Sequence, residues 1–173
     1  MREVSDLFLL NMAEISAALV GLFLVGVFFF VERGFTRAGR GGAMEGYFRS
    51  GTRIVFVLFA IPLFVPLTLV AMNPVWSHLT FLGLSAVLVA ANVDSARRVR
   101  AIFPLRSSRT LVLNEIAGTA TVVLIVLLPW ILGGIDPTRE DLTWSLMLAF
   151  AAGFLSVCAL VLTAYDMARE RQR

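Results

Sequence analysis

Apolar residues along this chain fall into five long runs, separated by short polar stretches rich in arginine. The runs extend from about Leu7 to Val31, Ile54 to Met72, Val75 to Val93, Leu111 to Leu132 and Leu142 to Tyr165. A helix needs about 20 mostly apolar residues to cross the hydrocarbon core of a bilayer, and each run has that length. None alternates apolar and polar positions with a period of two, as the strands of a membrane barrel do. The pattern predicts an all-α, polytopic membrane protein: a bundle of five transmembrane helices forming a single domain over 1–173.

The connections set the expected orientation. Arg33, Arg37, Arg40, Arg49 and Arg53 lie in 32–53, and Arg97, Arg98, Arg100, Arg106 and Arg109 in 94–110. Arg169, Arg171 and Arg173 follow the last run, whereas the opposite side has only Arg2 and Arg139. Cytoplasmic loops carry the excess of basic residues, so the amino terminus is expected outside and the carboxyl terminus inside. Trp76, Trp130 and Trp144 fall at the outer ends of their runs and Tyr165 at the inner end of the last. These residues favour membrane–water interfaces, and they agree with five spans without reference to charge.

Loop chemistry refines the outline. Asn73-Pro74 predicts a tight turn that makes the second and third helices an antiparallel hairpin. Gly133 to Thr138 reads as a short outer loop, with Thr138 placed to cap a helix and Asp141 three residues on. Residues 32–53 contain Gly34, Gly39, Gly41, Gly42, Gly46 and Gly51, which predicts a mobile Gly/Arg-rich cytoplasmic loop. The first run has no basic stretch before it and outlasts a signal-peptide core, so it is expected to be a retained span.

Composition strengthens the membrane reading. Of the residues, 58% are hydrophobic and 16% charged, with a mean hydropathy of +0.85. Soluble domains carry roughly 25% charge and could not cover this much apolar surface. The basic residues are all arginine, a usage expected of a GC-rich bacterial genome and hence of a bacterial cell membrane. The lone cysteine, Cys158, excludes an intrachain disulfide and is expected to be a small packing residue.

Two carboxylates interrupt the spans. Glu14 lies about 10 Å into the first and Glu115 about 6 Å into the fourth, at 1.5 Å per residue. Acids within spans usually face a bundle interior or an aqueous path, which makes both candidates for proton or cation transport. Glu115, in the first turns of its helix, also suits the helix dipole without any transport role. Pro62 and Pro66, one turn apart, are candidates for a kink in the second helix. Small residues recur every four positions at Ala13, Ala17 and Gly21, at Ala149 and Gly153, and at Ala152 and Ser156. They predict close helix packing, within one bundle or between copies. Arg97, Arg98 and Arg100 are placed to hold anionic lipid headgroups.

Enzyme chemistry finds no foothold. There is no GxSxG, HExxH or phosphate-binding glycine loop. His78 is the single histidine and Cys158 the single cysteine, so neither a metal site nor a cofactor is expected. The basic loops are short and lack a reading platform, which argues against nucleic acid. The sequence therefore points to a structural, regulatory or partner-binding membrane protein, with a homo-oligomer expected. The alternative is a proton-coupled transporter or oligomeric cation channel using Glu14, with Glu115.

Overall fold

The computed structural model describes residues 4–35, 42–102 and 109–170, with side chains at 4–29, 50–97 and 116–161. The described residues form five helices and no strand: α1 Asp6–Phe35, α2 Gly42–Ala71, α3 Pro74–Ile102, α4 Arg109–Gly133 and α5 Arg139–Glu170. All five are long and apolar enough to cross a membrane. The chain is thus a helical, multi-pass membrane protein.

The helices outrun the apolar segments, most visibly at the arginine-bearing ends. α1 continues to Phe35 and α2 starts at Gly42, so 32–35 and 42–53 of the expected long loop are helical, and 36–41 lie outside the described residues. An apolar run marks the thickness of the hydrocarbon, about 30 Å. Helical hydrogen bonding has no reason to stop there. At 1.5 Å per residue the 30 residues of α2 extend about 45 Å, and its glycines reduce helix propensity without ending the helix.

α2 is the hub. It packs against α1, α3 and α5, and α4 packs on α3 and α5. In α2, 44% of the apolar window is buried, against 17–28% in the other helices. Val55, Leu58, Phe59, Ile61, Val65 and Leu69 form the side of the core that α2 supplies. Leu9 and Met12 meet them from α1, Phe81 and Leu88 from α3, Val122 and Ile125 from α4, and Leu142 and Leu146 from α5. Pro62 and Pro66 are both buried, and the helix runs through them without a break. α4 carries a third internal proline, Pro129, also buried.

Several helix hydroxyls donate to a carbonyl three or four residues earlier in the same helix, which satisfies them in a low-dielectric surrounding. Ser16 Oγ donates to the Met12 carbonyl at 2.8 Å, and Ser77 Oγ donates to the Pro74 carbonyl at 2.6 Å. The Asn92 amide donates from α3 to Thr119 Oγ1 of α4 at 3.2 Å. Among the described residues, the hydroxyls of Ser50, Ser85 and Ser145 are buried without a partner.

The α4–α5 connection shows why glycine is needed there. Gly134 has φ +70°, and its N–H donates to the Trp130 carbonyl at 3.0 Å, closing α4 with a left-handed residue. Gly134→Ala is expected to lower stability by about 1 kcal/mol through the left-handed backbone alone. Reversible unfolding in mixed micelles measures this, and a loss below a few tenths would contradict it. Thr138 then caps α5 as its sequence suggested. Its N–H and Oγ1 donate to Asp141 Oδ2 at 2.8 and 2.7 Å.

Candidate functional site

The end of the bundle that carries Trp76, Trp130 and Trp144 brings together the start of α1, the end of α2, the start of α3, the end of α4 and the start of α5. Arg139 is the cross-brace. Its Nη1 donates to Asp6 Oδ1 at 2.7 Å and its Nη2 to the Leu69 carbonyl at 2.5 Å. One guanidinium therefore joins α5 to both α1 and α2. Arginine suits this because its fork has donors aimed in different directions. His78 makes the second tie. Its Nε2 donates to the Pro137 carbonyl at 2.9 Å, which requires the proton on that nitrogen. The imidazole also stacks on Trp130, with centroids 6.3 Å apart, and Phe81 meets the same indole edge-on. These contacts join residues far apart in sequence and left no local pattern by which to find them.

The intramembrane acid lies elsewhere. Glu14 is exposed on α1, not turned into the bundle. Eight residues past the start of the helix, it sits about 12 Å along the axis from the Asp6–Arg139 pair. The reason is visible in the register. Leu9, Met12, Ala13 and Ser16 form the buried side of α1, and Glu14 falls between them on the opposite face. Asn11, one turn earlier, is exposed as well. Ala17 and Ala18 follow on the same side, and then Gly21, whose Cα has nothing near enough to meet an added Cβ. Among the described residues, the buried polar side chains are serines, Thr143 and Asn92, none of them ionisable.

The remaining candidates separate in the same way. Ala13 is buried, whereas Ala17 and Gly21 face outward, so the α1 stripe is only partly a packing face within the chain. Ala149 and Gly153 are buried and Ser156 is half-buried, and this α5 stripe does pack within the chain. Gly153 receives the ring of Phe59, and Gly51 on α2 lies against Leu160. Cys158 is exposed on α5, contrary to the packing role expected of it, because it falls off that stripe. Arg97 is exposed. The side chains of Arg98, Arg100 and Glu115 lie outside the described residues.

Geometry is therefore the sole guide to function: no protein-family model, curated protein or solved structure matches this chain.

Proposed function

We propose that this chain is a small, non-catalytic scaffold of the cell membrane whose work is to bind other transmembrane helices, its own copies first, through the outward face of α1. The observation that carries this reading is the placement of Asn11 and Glu14 on an exposed surface of a membrane-spanning helix beside Ala17, Ala18 and Gly21. A charged side chain near the bilayer centre costs at least about 2.5–3.5 kcal/mol, less toward the interface, and a facing helix with a hydrogen-bonding group relieves that penalty. Copies inserted in one orientation meet α1 to α1 in parallel, which brings Asn11 and Glu14 of neighbours to similar depths. Asparagine donates and the carboxylate accepts, so the face complements itself. The small residues let the two backbones approach. The arginine distribution supports placing this face in the outer half of the membrane, with the amino terminus outside.

Transport keeps a defined place beside this reading. With Glu14 outside the bundle, an ion path using it runs between subunits and not through one chain. Two measurements separate these possibilities. Photo-crosslinking from Ala18 in native membranes is expected to give discrete adducts that Gly21→Leu and Glu14→Leu both abolish. Adducts unchanged in both variants sink the proposal. Purified protein in liposomes is expected to leave ion and proton gradients as stable as empty vesicles do. A leak removed by Glu14→Gln would replace the scaffold with a channel.

A further inference from the structure

A groove of about 400 Å³ opens between α2 and α3 at the end of the bundle opposite the tryptophans. That volume lies within the roughly 300–1,000 Å³ of ordinary ligand sites. Its lining is graded. Arg53 and Asp94 stand at the rim, one from each helix, and Phe56, Val57, Val87, Ala90 and Ala91 line the part nearer mid-membrane. The alanines leave room on the α3 side. On the α2 side the Phe56 ring is held edge-on by Phe23 of α1, with centroids 5.2 Å apart, which gives the groove a fixed wall.

Arg53 is exposed and has no ion pair or hydrogen bond among the described residues. It lies three residues inside the span that begins at Ser50, about 4.5 Å along the helix. An arginine at that depth extends its head toward the headgroup layer while its stem covers apolar surface. There it meets phosphate, the anion that a guanidinium binds best through paired hydrogen bonds. Asp94 opposes a second negative charge at the same rim. A carboxylate accepts at two oxygens, so Asp94 takes a primary ammonium in addition to its existing contact within the chain.

We propose that this groove binds one phospholipid with a primary-amine headgroup, of the phosphatidylethanolamine type. Its phosphate sits on Arg53, its ammonium on Asp94, and an acyl chain lies over Phe56, Val57 and the two alanines. Arg53 and Asp94 give the rim one charge of each sign, as the headgroup has, which sets this site apart from general attraction of arginines to anionic lipid. A choline headgroup lacks the N–H donors that Asp94 requires, and a glycerol headgroup leaves the lipid's negative charge facing that carboxylate.

The test is lipid retention by the purified full chain, read by native mass spectrometry. Phosphatidylethanolamine, phosphatidylglycerol and phosphatidylcholine with identical acyl chains are offered in equal amounts. The amine lipid is expected to be retained about fivefold over each of the others, the discrimination of one interfacial ion pair. Arg53→Gln abolishes retention of the amine lipid, and Asp94→Asn shifts the preference to phosphatidylglycerol. Ala90→Leu, which fills the groove without touching the rim, lowers retention of all three. Unfolding in mixed micelles confirms that each variant is folded, and Arg53→Met serves in place of Arg53→Gln if that variant is not. Equal retention of the three lipids by the wild type, or retention unchanged by Ala90→Leu, overturns the proposal.

Discussion

Gly153→Leu is expected to destabilise the bundle by about 3 kcal/mol, at the upper end of what overpacking a core usually costs. A Cβ at this position would lie 2.9 Å from Cε1 of Phe59, with Cζ and Cδ1 at 3.1 and 3.2 Å. The ring has nowhere to retreat. Phe59 is 1% exposed and meets Phe150 edge-on at 6.2 Å. α5 must therefore move away from α2, the helix on which most of the core depends. Alanine at the same position is expected to cost about 1 kcal/mol, because it adds the clash without the bulk. The decisive comparison is the double variant. In a Phe59→Ala background the leucine fills the vacated space, so its penalty should vanish or change sign, a coupling of 2 kcal/mol or more, about the most that direct neighbours show. Additive losses would mean that Gly153 and Phe59 are not the contact that sets the α2–α5 spacing. Gly21→Leu is the control. With nothing within 4 Å it should change the stability of the single chain by less than about 0.5 kcal/mol, while disrupting adducts between chains.

That contrast shows how far the sequence could be read. Ala13, Ala17 and Gly21 on α1 have the same spacing as Ala149 and Gly153 on α5, and nothing local tells the two stripes apart. The difference comes from which helix is the hub. α2 has neighbours on several sides, and its Phe59 reaches Gly153, whereas α1 rests chiefly on α2 and leaves its far side open. Spans and their number were legible because hydrocarbon thickness acts on each segment independently. The Thr138–Asp141 cap was legible because it is local. Helix ends were misjudged at 32–53 because hydropathy reports the solvent, not the hydrogen bonding. Glu14 was found by composition, but its direction follows from the register of Leu9, Met12 and Ser16 against α2. His78 and Arg139 were invisible as ties, since their partners lie 59 and 133 or 70 residues away.

Arg139→Ala is expected to cost about 2 kcal/mol and to loosen the start of α1, and its cause can be divided between two partners. The pair with Asp6 is 47% and 58% exposed, so water and salt reach it, and it should contribute no more than about 1 kcal/mol. The hydrogen bond to the Leu69 carbonyl is part-buried and charge-assisted, and such bonds contribute about 1.5–3 kcal/mol, nearer the lower figure here. Asp6→Ala should therefore lose less than Arg139→Ala, and its loss should fade in high salt while most of the arginine effect persists. Arg139→Lys should recover little, because one ammonium cannot reach both the carboxylate and the carbonyl as the guanidinium fork does. Amide exchange at the start of α1, compared in low and high salt, measures each part. Equal losses for Asp6→Ala and Arg139→Ala would assign the whole effect to the ion pair and none to Leu69. Orientation offers a further check. Arg139 and Arg2 are the only basic residues between the spans or beyond them on the side with few arginines, so its removal sharpens the charge asymmetry. Any loss of assembled protein in Arg139→Ala then reflects a bundle whose first helix is held chiefly by α2, not a chain inserted the wrong way round.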